Sequence, residues 1–279
     1  MKRLLVPFAI SLLLAGCAQQ PISTTAAVSD ATLAAAGENR DAGEVKLFSV
    51  NPAGGLPNGW EPLILLRTKN QTQYKLVNKE DRTVLHARAE KASSGLMQKV
   101  AIDLENNPWL HWQWKIADLI HGADNTDHAT EDSPVRIILG FDGDKESLPF
   151  ADQILFETAR IMTGYEFPYA TLMYIWENKA PVGTVIRSKH SSRIKMMVAA
   201  RGNKGIGEWQ SFARNIVEDY EKAFGEKPGR LIGVGVLTDT DNTGASVEAW
   251  YGDIRLLRER GMLAAGEEKG GSLVVGQSE

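Results

Sequence analysis

Apolar and polar residues alternate one by one along Leu110–Ile116, LHWQWKI. Leu110, Trp112, Trp114 and Ile116 fall on one face; His111, Gln113 and Lys115 fall on the other. A period of two marks a strand with one face in a core. Val135–Phe141 repeats the pattern, with Val135, Ile137, Leu139 and Phe141 inward. Shorter runs of β-branched and aromatic residues occupy Tyr74–Val77, Thr83–Ala89, Thr171–Trp176, Ser192–Ala200, Leu231–Leu237 and Ser246–Leu257. Strands at this density, separated by Gly, Asn and Asp turns, predict a mainly β chain. The expected fold is an antiparallel β-sandwich or jelly roll, lectin-like, with one or two peripheral helices.

The main helix is expected over Ser211–Phe224, where Phe212, Ile216, Tyr220 and Phe224 stand four apart and Gly225 follows as a stop. A weaker helical pattern covers Asp152–Thr163. The run LIGVGVL is apolar on both faces, and Gly233 and Gly235 share one of them. Something is expected to approach that face closely, with the main helix as the candidate.

The two ends read differently from the middle. Lys2 and Arg3 precede an apolar run, Leu4–Leu14, that is too short for a lasting membrane span of ~20 residues. Residues 1–16 therefore read as a signal peptide. Its last residues with Cys17, LAGC, resemble a bacterial lipobox, in which the cysteine becomes the first mature residue and carries the lipid. Ala18 rather than Asp follows it, which by resemblance to lipoprotein sorting rules favours the outer membrane, with the domain facing the periplasm. Residues 17–43 form a small, polar stretch with too little apolar surface to offset ordering, expected to be a flexible tether. The folded domain is expected over 44–257, and 258–279 is expected to be a disordered tail.

Composition changes this picture little. The chain is 43% hydrophobic and 24% charged, with a net charge of −4, so nucleic acid is not an expected partner. Cys17 is the sole cysteine, so an acylated chain keeps neither a free thiol nor a disulfide, and a thiol nucleophile is excluded.

Five spaced words, WLHWQWKI, EDSPVRIILGFDGD, YIWENKAPVGT, GEWQSFARNIVEDYEKAFGE and GVGVLTDTDNTGASVEAWYGDI, resemble those of bacterial proteins grouped as domain of unknown function 3047. The resemblance covers Glu44 to Leu257 and is most specific in the last two words. It implies a secreted or periplasmic β-sandwich similar in shape to lectin-like jelly rolls, and it brings no catalytic residues with it. Glu131-Asp132 stands where paired Asp is expected, which keeps the charge but not the reach of the shorter acid.

Candidate chemistry gathers in a few places. Asp239, Asp241, Thr243 and Gly244 match the first half of a calcium loop, but Trp250 stands where the bidentate Glu belongs, so an EF-hand is excluded. Two readings remain: a looser calcium site using Asp239, Asp241 and Asn242, or a turn that uses Asp and Asn to bond its own backbone. The stretch His121–Asp132, HGADNTDHATED, has the residue types to bind zinc or calcium, but it matches no zinc spacing and reads as a solvated loop. Seven Trp point toward sugar, because indole rings stack on sugar C–H faces. The candidate ligand contacts are His111, Gln113, Arg136, Tyr174, Trp176 and Asp253. Trp112 and Trp114 read as core, and Arg136 as either a ligand contact or half of a buried ion pair with Asp253 or Asp132.

The chain has no G-x-S-x-G, H-E-x-x-H or Walker loop. Glu157, Glu177, Glu248 and Asp253 are carboxylates that a glycosidase could pair, and sequence does not pair them. The leading expectation is a lipid-anchored envelope module that binds a glycan or envelope polymer. A carboxylate-dependent enzyme acting on polysaccharide and a structural lipoprotein binding another envelope protein are the alternatives.

Overall fold

The computed structural model describes residues 44–64, 66–189 and 191–260, together with Ser272–Leu273. The expected signal peptide, Cys17 and the expected tether, up to residue 43, lie outside the described residues, as does most of the expected tail.

Two sheets face each other. The first contains β2 (Gln73–Lys79), β3 (Arg82–Glu90), β5 (Trp109–Ile116), β10 (Gln210–Asn215), β12 (Ser246–Tyr251) and β14 (Ser272–Leu273), in the order β14-β10-β5-β12-β3-β2. A short strand, β13 (Arg255–Leu257), continues past β12 along β5. The second sheet contains β1 (Glu61–Leu63), β4 (Ser93–Ile102), β6 (Ser133–Phe141), β7 (Ala170–Glu177), β8 (Val185–Arg187), β9 (Ile194–Arg201) and β11 (Leu231–Asp239), in the order β1-β4-β11-β6-β7-β9-β8. Pairing is antiparallel except for β7 with β9 and β10 with β14. This is the expected β-sandwich.

The core lies between the sheets and is aromatic. The inward residues of β5, Trp112 and Trp114, meet the inward residues of β7, Tyr174 and Trp176. Trp112 stacks on Tyr174 with centroids 4.8 Å apart and on Phe212 at the same distance. Burying a ring of this size removes about 200 Å² from water, an upper estimate of about 5 kcal/mol each. That face of the Trp112 strand is the strict alternation seen in the sequence.

Two helices are present among the described residues, α1 (Phe150–Thr163) and α2 (Ile216–Phe224). The expected helix Ser211–Phe224 is corrected at its start. Residues 210–215 are strand β10, paired to β5 from Gln210↔Trp114 to Asn215↔Trp109. Phe212 and Ile216 are four apart and both reach the core, but one does so from a strand and the other from a helix. Cross-strand stacking of Phe212 on Trp112 outweighs the helical spacing, and Asn215 begins the helix by accepting from the Val217 and Glu218 amides at 3.1 and 3.4 Å. Gly225 ends it in the left-handed region at φ 75°.

Ile216, Tyr220 and Ala223 of α2 pack into the inter-sheet core, with Tyr220 against Phe141 at 4.7 Å. The helix therefore closes a side of the sandwich and does not lie over an outer face. The neighbour that Gly233 and Gly235 accommodate is not this helix but Met97 on β4. A Cβ at Gly233 would meet the Met97 sulfur at 3.3 Å, and one at Gly235 its methyl at 3.0 Å.

The two outer faces differ. On the second sheet, Leu63, Met97, Ile138 and Leu237 form one buried apolar cluster and Ile175, Ile186, Met196 and Val198 another. On the first sheet, most outward positions are charged, polar or aromatic and many are partly open to water, although Val84, His111 and Ser211 are buried.

Candidate functional site

Three features could carry function: a buried charge network at one end of the second sheet, a cleft beside α1, and the open face of the first sheet.

The network is built on Arg136, an outward residue of β6 that is nonetheless 3% exposed. Its Nε and Nη2 donate to the two carboxylate oxygens of Asp239 at 3.0 and 3.1 Å. Nη2 also donates to Asn125 Oδ1 at 3.1 Å and to the Glu131 carbonyl at 3.0 Å. Neither partner named from sequence is the one found. Asp253 instead accepts from the Phe48 and Ser49 amides and the Ser49 hydroxyl, at 2.8, 3.0 and 2.6 Å, so it holds the start of the domain to β13. Asp132 lies close enough to act on Arg136 by charge alone. Burial pushes Asp239 up to about 6, against the pull of Arg136.

Asp132 joins the two acidic stretches. It accepts from the Asn242 amide at 3.2 Å, the Thr243 amide at 2.7 Å and the Thr243 hydroxyl at 2.6 Å. The side chain of Asn242 donates to the His128 carbonyl at 3.0 Å, and Lys69 pairs with Asp241. Within the His121–Asp132 stretch, Asp124 and Asp127 bond amides two residues on, and buried Asn125 donates to Glu177 at 2.7 Å. The stretch is thus a docked, self-bonded loop rather than a merely solvated one.

Asp132, Asp239 and Asp241 offer oxygens within 4.8 Å of one another, a set that could hold a divalent ion. Every one of these carboxylates already has a partner, and the cations Arg136 and Lys69 supply counter-charge. Sequence placed Asp132 in a different acidic cluster, His121–Asp132, and gave no sign that the fold sets it beside Asp239 and Asp241.

The cleft beside α1 has a volume of about 520 Å³ and is lined by Leu148, Phe150, Ile154, Phe156 and Phe167, with Glu157 and Glu166 among its acids. Both acids are exposed, and Arg160 and Lys145 hold them below the ordinary glutamate range. A general acid needs the opposite shift. Glu177 is fully buried, bonded to Asn125 and to the Lys179 amide, and Glu248 contacts His86 Nε2 at 3.0 Å. No two of the four carboxylates considered from sequence pair with each other in the contacts described.

The open face is set by register. Lys75 on β2 lies opposite His86 on β3, His86 opposite Trp250 on β12, and Trp250 opposite Lys115 on β5. One row thus crosses four strands. His86 stacks on Trp250 with centroids 5.3 Å apart and planes 19° from parallel. The Lys79 ammonium lies 4.1 Å from the indole centroid. Gln113 is on the same face, accepting from Arg82 and donating to the Ser211 hydroxyl at 2.8 Å. Gly252 leaves it room, since a Cβ there would come within 3.1 Å of the Gln113 Cβ.

Of the residues expected to touch ligand, Gln113 is on this face and partly open. His111 shares the face but is 4% exposed, and burial holds its imidazole below the ordinary range. Tyr174 and Trp176, at 0% and 1% exposure, are inward residues of β7 and cannot stack on a ligand arriving from water. Arg136 and Asp253 are held in the contacts above. Trp250, an aromatic residue of the open face, could have been singled out, because it alternates with inward Ala249 and Tyr251.

Fold and site together define a β-sandwich domain with an aromatic, cationic sheet face. The chain belongs to the family described as "Protein of unknown function (DUF3047)", which matches residues 58–255. No curated protein matches. Among solved structures, the glycoside hydrolase domain of Endo-D from Streptococcus pneumoniae is similar with a TM-score of 0.33 and 6% identity; 72% of this chain covers 21% of that one, about a fifth of its length. The xyloglucanase domain of NopAA from Sinorhizobium fredii, in complex with cellobiose, gives 0.40 and 8%, covering 75% of this chain and 99% of that one. The carbohydrate recognition domain of Emp47p gives 0.39 and 12%, covering 78% and 96%.

Proposed function

We propose that this chain is a glycan-binding module of the bacterial cell envelope, lipid-anchored through Cys17 in the outer membrane and facing the periplasm, and that the open face of the first sheet holds the polymer. The observation that carries the reading is the row Lys75–His86–Trp250–Lys115 on a sheet face that α2 does not cover. An indole already stacked against His86 is held in place, so adding a sugar ring costs little conformational entropy. Amide and ammonium donors around it, from Gln113, Lys79 and Lys115, suit hydroxyl and ring oxygens.

Electrophoresis of the domain through gels containing envelope and plant polysaccharides tests this. At least one polymer should retard the wild-type protein, and Trp250→Ala should lose the retardation while keeping its circular dichroism. Equal retardation of Trp250→Ala would remove this face from the reading. No retardation by any polymer would remove the glycan.

A further inference from the structure

Resting on that glycan-binding reading, we infer that the open face selects an acidic polysaccharide, one bearing carboxylate or sulfate groups, over a neutral one. The outward positions of β2, β3, β12 and β5 carry the cations Lys75, Lys79, Arg82, Arg88 and Lys115, against the acids Glu90 and Glu248. This concentration stands on a chain whose net charge is −4. A local field opposite in sign to the whole molecule is built by placement, not by composition.

Existing contacts use only part of that charge. Lys115 pairs with Glu80 at 3.0 Å in the β2–β3 turn, and Arg82 lies over the Trp209 ring at 4.4 Å while donating to Gln113. Lys79 rests on Trp250 and makes no ion pair within 4 Å, with Glu80 acting on it by charge alone. Among the described residues, Lys75 and Arg88 make no ion pair within 4 Å, although Glu248 stands across the strand pair from Arg88, and both cations are exposed. They flank His86, Lys75 directly opposite it on β2 and Arg88 two residues along β3. Lys75 and Lys115 end a row about 14 Å long, three strand spacings. Spaced cations on either side of one stacking ring match a chain of rings that carries a charge at intervals. A neutral sugar would leave these ammonium and guanidinium groups in water and gain nothing from them.

The test compares one polymer with itself. Affinity electrophoresis is run with a polyuronate and with the same polymer after its carboxyl groups have been reduced to alcohols. Wild-type protein should bind the polyuronate at least tenfold more tightly, and the preference should shrink between 50 and 500 mM salt. Lys75→Gln and Arg88→Gln should each weaken polyuronate binding about two- to fivefold, as expected for an exposed charge contact, and Arg88→Gln, which lies outside the Lys75–Trp250 row, should leave binding to the reduced polymer unchanged. Equal binding of both polymers would overturn the acidic preference while leaving the glycan reading intact. Binding of neither would overturn both. Retardation by single-stranded DNA but not by polyuronate would show that the cations serve another polyanion and would also overturn the inference.

Discussion

The guanidinium of Arg136 forks onto the carboxylate of Asp239 across two neighbouring strands, Nε to Oδ1 at 3.0 Å and Nη2 to Oδ2 at 3.1 Å. Both groups are buried, so the pair's value depends on which partner is removed. Arg136→Met leaves Asp239 in a low-dielectric site without its counter-charge. Asp239→Asn leaves Arg136 still facing the Glu131 and Asp132 charges and the Asn125 and Glu131 oxygens. We expect Arg136→Met to cost about 3–5 kcal/mol and Asp239→Asn clearly less. The double variant should cost less than the sum of the two. Urea unfolding of the three variants at neutral pH measures all of these; an equal cost for both single changes would contradict the asymmetry.

The same pair sets a pH dependence. Asp239 sits at about 6 in the folded chain, against an ordinary value of 3.8. Between those two values the folded chain binds more protons at this site than the unfolded chain does. Its contribution to stability therefore increases as pH falls from about 6 to about 4, and it is lost as pH rises back through 6. About two pH units correspond to roughly 3 kcal/mol. Carbon-13 NMR of the Asp239 carboxyl should give a midpoint near 6, and the stability difference between Asp239→Asn and wild type should change slope in that window. A midpoint near the ordinary aspartate value would refute it.

Much of the fold was legible because its inward faces follow simple alternation. β5, β6 and β7 each carry a large apolar residue at every second position, and each lies where the pattern puts it. β4, SSGLMQKVAI, escaped notice because Ser, Gly, Gln and Lys interrupt it, although Leu96, Val100 and Ile102 reach the core. The helix over Ser211–Phe224 was half right, because a strand and a helix in succession can both present a residue to one core every four positions.

The site was less legible. Arg136 announced itself by standing between Val135 and Ile137, but its partner lies 103 residues away and no local pattern connects them. Trp250 was ambiguous for a similar reason. Alternation gives its face, yet only the register of β12 between β3 and β5 reveals the Lys75, His86 and Lys115 beside it.

Calcium provides a third test. Binding to Asp132, Asp239 and Asp241 requires displacing the Lys69 ammonium from Asp241. At 2 mM, calcium should leave the melting temperature of wild-type protein unchanged. Lys69→Met removes that competitor and adds one negative charge to the cluster, so calcium should raise its melting temperature, by linkage, in a dose-dependent way. A calcium-dependent rise in the wild type, reversed by chelator, would make the cluster a metal site in its own right.

The turn joining β2 to β3 offers a fourth. Glu80 and Asp81 both adopt left-handed backbone, at φ 52° and 64°, in the two-residue loop that reverses the hairpin. This is the geometry of a type I′ turn, for which Asn-Gly is favoured. Replacing Glu80-Asp81 by Asn-Gly relieves side-chain strain at both positions and loses the exposed contact of Glu80 to Lys115 and its weaker interactions with Trp209 and Lys79. Stability should rise by about 1 kcal/mol, read as a higher urea midpoint with an unchanged slope. A lower midpoint would mean that the Glu80–Lys115 pair holds the hairpin more firmly than its exposure implies.

Gly252 separates folding from recognition. It is buried where β12 gives way to β13, and its amide bonds the Gln113 carbonyl at 2.9 Å. A methyl group there would stand 3.1 Å from the Gln113 Cβ and 3.3 Å from its Oε1. That is tight but not prohibitive: the Gln113 Oε1 can turn away, while its Cβ, fixed to β5, must give by a few tenths of an ångström, so Gly252→Ala should cost about 1 kcal/mol. The side chain must nevertheless move, and with it go the contact from Arg82 and the bond to Ser211. If Gln113 and Arg82 help to shape the polymer face, Gly252→Ala should weaken polysaccharide retardation several-fold while its melting curve stays close to wild type. Retention of full binding would confine the recognition surface to the Trp250 row and leave Gln113 a purely structural link between β5 and β10.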